Sequence, residues 1–188
     1  LYDGIRHGSS YGVTAENIRV DQRAVLQRKD KVVRTLVKGV GAALRTSKVE
    51  VISAEGKVLG RAGINFRVQA GEQVHEAPRL LIATGSETVI PPIPGLREGL
   101  KRGFVLTNRE LLQLAEIPSR MIVIGGGVIG LEFASYFSSV GCQVTVVEMM
   151  DHIAGAGDED LIAALQAVYE KRGINFVLGA RVVGVGTD

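Results

Sequence analysis

The second half of the chain alternates between short apolar runs and longer amphipathic stretches. Apolar runs cover residues 120–124, 143–148 and 174–178, and helical patterns cover residues 128–140 and 159–172. Short apolar runs that alternate with helical stretches are typical of βαβ units with a parallel sheet. We therefore expect an α/β fold built around a parallel sheet in this half.

Helical patterns also occur in the first half and near the middle of the chain. Apolar side chains recur every three to seven residues along residues 21–47, which places them on one face of a long helix. A shorter helix is predicted from Thr107 to Leu114. Thr107 is its expected N-cap, because Glu110 stands three residues later as the capping-box partner.

Strand patterns follow the long helix. A small antiparallel meander is predicted by short β-type runs that are separated by glycine-containing turns: residues 49–54, 57–60 and 64–69. Residues 79–85, RLLIATG, form a continuous apolar run that ends in small residues. This pattern predicts a buried strand that ends at a ligand or a tight turn.

Three prolines mark the place where we divide the chain. Pro91, Pro92 and Pro94 fall within four residues, a composition typical of a connector. The predicted organisation is a first domain over residues 1–90, a connector over residues 91–118 and a second domain over residues 119–188.

Composition and charge exclude several kinds of partner. The 22 basic residues are interleaved with 20 acidic ones, for a net charge of +2, so no basic face for nucleic acid stands out. The most apolar run, residues 121–137, is interrupted by glycines and by Glu132, so we expect no membrane span. Cys142 is the single cysteine and the three histidines lack ligand spacing, so neither an internal disulfide nor a metal site is expected. These features favour a soluble, cytoplasmic protein.

A glycine-rich turn joins the first strand of the second half to its first helix. Gly125, Gly127 and Gly130 form the motif G-x-G-x-x-G in the strand-to-helix context that the motif requires. The first glycine permits the tight turn, the second lets the backbone approach a pyrophosphate, and the third lets helix and strand pack closely. The helix N-terminus offers unpaired N–H groups and a positive dipole end to phosphates. The sequence thus predicts a Rossmann-like dinucleotide site made by Gly125, Gly126, Gly127, Val128, Ile129 and Gly130.

The second strand of this unit ends in Glu148, 18 residues after Gly130, where a ribose-binding acid belongs. A carboxylate there accepts hydrogen bonds from two ribose hydroxyls and repels a 2′-phosphate. No arginine stands between Glu148 and Arg172 to hold such a phosphate, so NAD is favoured over NADP.

Glu132 is the one candidate catalytic residue, and two interpretations of it stay open. We place it in the first turn of the helix, where an acid is favourable to the helix dipole. The alternative is a role near the nicotinamide. Cys142 is interpreted as a small core residue.

Three stretches, LLIATGSETVIPPIPG, MIVIGGGVIGLEFASYFSSVGCQVTVVE and HIAGAGDEDLIAALQAVYEKRGINF, resemble the flavin-dependent pyridine nucleotide-disulfide oxidoreductases. The resemblance extends over nearly the whole chain and is most specific from Leu80 onward. In that family an NAD domain interrupts a flavin domain. The resemblance implies that the first domain is part of an FAD-binding domain and that the second is an incomplete NAD-binding domain.

The resemblance also implies roles for particular residues. Val182 would lie beside the adenine of NAD, and Glu132 would lie near the nicotinamide. Gly130 and Val128 stand where NADPH-using relatives often carry other residues, which favours the NAD-using lipoamide branch. The implied flavin contacts are Gly56, Ala83, Thr84 and Gly85.

Several parts of the family pattern are absent from this sequence: a first flavin glycine motif, the C-x-x-x-x-C of the redox-active centre, a second flavin-binding segment and a dimer domain with catalytic His and Glu. The chain also begins at Leu1. We therefore expect an internal fragment of a flavoprotein oxidoreductase, inactive by itself. Its homodimeric parent would pass electrons from dihydrolipoamide, free or on a lipoyl-bearing protein, through the disulfide and FAD to NAD.

Two alternatives stay open. One is a related flavoprotein without this substrate, such as a pyridine nucleotide transhydrogenase or a mercuric reductase, which the sequence preceding Leu1 would distinguish. The other is a non-catalytic NAD-binding module that senses nicotinamide redox state and binds NADH without flavin.

Overall fold

A computed structural model describes residues 2–186, so Leu1, Thr187 and Asp188, at the outer ends of the two predicted domains, lie outside the described residues. The chain divides into two compact units. One combines Leu1–Arg28 with Thr88–Asp188, and the other is Lys29–Glu87. The domain boundaries drawn from the sequence stay predictions.

The first unit contains the predicted βαβαβ arrangement. Its elements in chain order are β4 (Arg120–Ile124), α5 (Val128–Ser139), β5 (Gln143–Val147), α6 (Glu159–Lys171) and β6 (Asn175–Val177). The three strands are parallel and lie in the order β4-β5-β6. The α/β fold and the parallel sheet are thus confirmed.

The core of this unit lies between α5 and one face of the sheet. Phe137 of α5 is 1% exposed, and Val144 and Val146 of β5 are fully buried. Alternate residues of a strand point to opposite faces, which is why the burial of β5 alternates along its length. This packing fixes the carboxyl ends of β4 and β5 side by side, and the glycine turn and Glu148 follow directly from those ends.

Short helices precede the sheet. The described residues begin with α1 (Tyr2–Arg6) and a 3₁₀ turn (Gly8–Tyr11), and the segment after the prolines forms α3 (Leu96–Arg102) and α4 (Asn108–Leu111). The capping box at Thr107 is confirmed, since its backbone N–H donates to Glu110 Oε2 at 2.7 Å. The helix after Thr107 is shorter than predicted, and α3 was missed because seven residues are too few for a clear period.

The long helix, α2 (Gln22–Thr46), begins in the first unit and continues into the second. The second unit also contains an antiparallel meander of β1 (Gly56–Ala62), β2 (Asn65–Ala70) and β3 (Gln73–Ala77), in the order β1-β2-β3. The predicted long helix and the predicted antiparallel meander are both confirmed, although the strand bounds of the meander differ from the predicted ones. None of the helices formed by residues 2–186 has the length and apolarity needed to cross a bilayer.

Two strand predictions are wrong. Residues 49–54 are irregular, and the first strand of the meander begins at Gly56. Residues 79–85 form no strand, and Leu81 and Ile82 are 87% and 68% exposed. A buried strand needs neighbours that satisfy its backbone N–H and C=O groups, and no segment of residues 2–186 forms a ladder with this run.

Candidate functional site

The glycine turn closes against the end of the neighbouring strand. Gly125 has φ +104°, in the region that favours glycine, and its N–H donates to the carbonyl of Val147 at 2.9 Å. This bond continues the pairing of β4 with β5 by one residue. The chain then turns sharply into α5 at the carboxyl edge of the sheet.

The other two glycines of the motif differ in the space around them. At Gly127, the N-cap of α5, an added Cβ would meet no described atom within 4 Å. At Gly130, a Cβ would overlap the carbonyl oxygen of Gly125 and lie 3.1 Å from Val123 Cγ1. The second glycine therefore leaves open space beside the backbone, and the third is required by close packing. Val128 and Ile129, between them, are 63% and 57% exposed.

Glu148 ties the turn to the end of β5. Its Oε2 accepts a hydrogen bond from the Gly126 N–H at 2.6 Å, and its Oε1 accepts one from the Met150 N–H at 2.8 Å. The side chain is half-buried. Each carboxylate oxygen can accept more than one hydrogen bond, so the carboxylate keeps acceptor capacity for a ligand.

The surroundings of Glu148 favour its charged form. Partial burial acts to raise the pKa of Glu148, but three backbone N–H groups and a neighbouring histidine outweigh it and hold the pKa below the usual glutamate range. These groups belong to Met150, Gly126, Met149 and His152. The residue is therefore anionic at neutral pH, as an acceptor for ribose hydroxyls must be.

The loop after Glu148 returns to the glycine turn. The Ala154 N–H donates to the carbonyl of Gly126 at 2.8 Å, and Ile153 is fully buried. His152 Nδ1 lies 2.6 Å from Asp151 Oδ1. This hydrogen bond raises the pKa of His152 and lowers the pKa of the Asp151 carboxyl. Contacts at both ends thus hold the loop against the turn.

A pocket of about 460 Å³ opens beside the turn and brings together three residues predicted from the sequence, Gly125, Glu148 and Val182. Most of the other lining residues were not predicted as site residues from the sequence. The prolines were interpreted only as a connector, and no local sequence pattern indicated that the remaining residues line a pocket. The remaining lining residues are Pro91, Pro92, Ile93, Pro94, Ile124, Val147, Met149, Ala180, Arg181 and Val183.

A second pocket, of about 530 Å³, is lined by Arg120 and Gln143, the first residues of β4 and β5, together with neighbouring strand and turn residues. It therefore opens at the amino ends of the strands. Ligands of open parallel sheets bind outside the carboxyl ends, so we assign the candidate site to the pocket beside the glycine turn.

The remaining predicted residues lie elsewhere. Glu132 is exposed and is the fifth residue of α5, so its placement in the first turn is wrong, because the helix begins at Val128. Cys142 is 5% exposed in the core, where burial raises its pKa, in agreement with its interpretation as a core residue.

The predicted flavin contacts belong to the other unit. Gly56 begins β1, and Ala83, Thr84 and Gly85 lie in an exposed irregular segment in which Gly85 has φ +78°. Their contact with FAD stays a prediction.

The family model and the sequence relatives that match this chain point to the same protein family. The family model described as "Pyridine nucleotide-disulphide oxidoreductase" matches residues 3–188. The dihydrolipoyl dehydrogenase of Acholeplasma laidlawii is 36% identical over 183 residues, which cover 97% of this chain and 53% of that protein. The dihydrolipoyl dehydrogenase of Bacillus subtilis is 33% identical over 185 residues, which cover 97% of this chain and 39% of that protein.

Solved structures agree with the sequence relatives. LpdA from Mycobacterium tuberculosis has a TM-score of 0.81 at 26% identity, over 97% of this chain and 40% of that one. The HOCl-induced flavoprotein disulfide reductase RclA from Escherichia coli has a TM-score of 0.69 at 26% identity, over 96% of this chain and 39% of that one. The chain thus spans between about two fifths and about half of the length of these proteins.

Proposed function

The chain belongs to the pyridine nucleotide-disulphide oxidoreductase family, and on that premise we propose that it is the NAD-binding part, with a piece of the FAD-binding part, of an NAD-dependent dihydrolipoamide dehydrogenase. The observation that carries the proposal is the glycine turn held by Glu148, with an open side at Gly127 and a pocket that reaches Val182. Relatives named dihydrolipoyl dehydrogenase supply the expected substrate.

The residues of the turn fit a dinucleotide. A pyrophosphate would take the open side of Gly127 and the first N–H groups of α5, which have no acceptor within the helix. Glu148, fixed by two backbone N–H groups, would accept hydrogen bonds from the adenosine ribose. The apolar side of the pocket at Val182 would take the adenine.

A dinucleotide held by these residues would supply the hydride chemistry, together with a flavin. The residues of this chain bind and orient the dinucleotide, and Glu148 keeps a fixed negative charge beside the 2′-hydroxyl. In the parent we place FAD contacts at Gly56, Ala83, Thr84 and Gly85, and Glu132 near the nicotinamide. The redox disulfide, the homodimer and the cytoplasmic location of the parent stay predictions.

The test is the activity of the intact parent with dihydrolipoamide and either NAD or NADP. We expect kcat/KM for NAD to exceed that for NADP by at least about a hundredfold, because the carboxylate opposes a 2′-phosphate. Glu148→Gln should lower this ratio, whereas Glu72→Gln, an exposed carboxylate after β2, is the matched control and should leave it unchanged.

An intact parent with no dihydrolipoamide activity but with NADH-dependent reduction of another disulfide or an oxidant would contradict the substrate assignment. It would favour a reductase of the RclA kind, to which the solved-structure comparison also points. NADH binding by a protein that holds no flavin would favour the redox sensor.

A further inference from the structure

The sulfur-containing side chains of this protein fall into two groups. Its three methionines and one cysteine are Met121, Cys142, Met149 and Met150. Met149 and Met150 are 64% and 49% exposed. Cys142 is 5% exposed, and Met121 packs half-buried against the core of the sheet. The two accessible sulfurs therefore stand next to each other in the chain.

Both accessible sulfurs directly follow Glu148. Met149 lines the same pocket as Glu148 and Val182. The Met150 backbone is fixed at both polar groups, because its N–H donates to Glu148 Oε1 at 2.8 Å and its carbonyl accepts from Gly179 at 2.8 Å. The loop that these bonds fix thus includes Met149, which lines the candidate dinucleotide pocket.

We propose that Met149 is a reversible oxidation site, at which a hydroperoxide converts the thioether to a sulfoxide and thereby weakens dinucleotide binding. A lone pair of the sulfur attacks one peroxide oxygen, the O–O bond breaks, and water or an alcohol leaves. The sulfur is oxidised by two electrons and the peroxide is reduced by two. The inference deepens the proposed function and rests on it.

Met149 is favoured over Met150 because Met149 is the one of the two that lines the pocket, and over Met121 and Cys142 because it is more exposed. Oxidation of methionine depends on contact with the oxidant, and Met121 is half-buried whereas Met149 is 64% exposed. Burial also raises the pKa of the Cys142 thiol, so its reactive thiolate is scarce at neutral pH. A sulfoxide oxygen at Met149 would place a polar group in a wall that Ile124 and Val147 otherwise keep apolar, and would add negative charge density near the Glu148 carboxylate.

The experiment uses the intact parent with ADP-ribose as the probe, because this molecule reports on the adenosine half of the site and takes no part in redox chemistry. Affinity is measured by calorimetry before treatment with hydrogen peroxide, after treatment, and after repair by methionine sulfoxide reductases. Mass spectrometry follows each methionine. Each variant is compared with its own untreated form, with Met149→Leu as the resistant variant and Met121→Leu as the matched control.

We expect the wild type and Met121→Leu to lose about fivefold or more in affinity on treatment and to regain it on repair, while Met149→Leu keeps its own affinity. Bound ADP-ribose should also slow sulfoxide formation at Met149. An equal loss in Met149→Leu, full affinity despite a Met149 sulfoxide, or faster oxidation of Met121 than of Met149 would each overturn the inference. If the untreated parent does not bind ADP-ribose, the proposed function itself fails. This result is distinguishable from the three outcomes above, because each of them starts from a parent that binds ADP-ribose before treatment.

Discussion

Gly127 and Gly130 belong to one motif, but the structure gives a different physical reason for glycine at each position. Gly130→Ala forces a Cβ onto the carbonyl of Gly125, so we expect it to lower the free energy of unfolding by about 1–3 kcal/mol. Gly127→Ala adds a Cβ in open space at φ −73°, so we expect the free energy of unfolding to fall by no more than about 1 kcal/mol. Because that Cβ would occupy the space proposed for the pyrophosphate, we expect the same variant to bind little ADP-ribose. Urea unfolding and calorimetry measure both. Equal losses of stability in the two variants would contradict this difference.

Glu148 should stabilise the turn as well as bind a ligand. The two hydrogen bonds to its carboxylate lead us to expect that Glu148→Gln lowers the free energy of unfolding by about 2 kcal/mol at neutral pH. Because the folded-state pKa is lowered, this stabilisation is fully present above the unfolded pKa of about 4.3 and is lost as the pH falls through the folded value.

Unfolding measured from about pH 8 down to about pH 3 checks this sign. The gap between wild type and Glu148→Gln should stay constant at neutral pH and close at the acid end. A gap that opened only below about pH 5 would contradict the lowered pKa. At the residue scale, the sequence singled out Glu148 and the glycines as candidate site residues, but the bonds from Glu148 to Gly126 and Met150 required the structure.

At the element scale, one buried polar side chain joins three segments. Gln22, in the first turn of α2, is 7% exposed. Its Nε2 donates to the carbonyl of Leu114 at 3.0 Å, and its Oε1 accepts from the Tyr136 hydroxyl of α5 at 2.5 Å. Burial raises the pKa of Tyr136, with the Gln22 bond acting against it, so the hydroxyl remains a donor at neutral pH. No local pattern predicts this network.

Tyr136→Phe leaves the buried Gln22 oxygen without its donor, so we expect the free energy of unfolding to fall by about 1–2 kcal/mol. Tyr169→Phe, on α6, is the matched control and should cost less than about 0.5 kcal/mol. Thermal and urea unfolding of both variants decide the matter. A Tyr136→Phe variant as stable as wild type would mean that water replaces the hydroxyl.

Elements with a clear period were predictable, and those that depend on distant neighbours were not. The strands and helices of the βαβαβ unit fall within one or two residues of their predicted bounds, because each has a clear period and the apolar sides of α5 and β5 pack in a core that these residues form together. Residues 79–85 are equally apolar but have no strand neighbours among residues 2–186, so the apolar pattern alone wrongly predicted a strand there. Strand β3 lacks an apolar run and is held by pairing with β2.

At the scale of the whole molecule, the two units should respond differently to the dinucleotide. Ligand binding stabilises the unit that holds it, by about 2.7 kcal/mol at a ligand concentration one hundred times Kd. We therefore expect ADP-ribose to slow amide hydrogen exchange around residues 125–131, 148–154 and 180–185. The β1-β2-β3 meander should exchange at an unchanged rate, and protection confined to the meander would contradict the assigned site.

The sequence by itself determined the parallel βαβαβ unit, the glycine turn and the acid at the end of the second strand, because these depend on periodicity and spacing within about 30 residues. Only the tertiary structure decided what completes the pocket. Pro94 accepts a hydrogen bond from the Val185 N–H at 2.9 Å, and Gly95 approaches the Val185 carbonyl so closely that a Cβ would overlap it. Segments about ninety residues apart meet there because both pack at the same edge of one sheet, and no local pattern encodes such a contact.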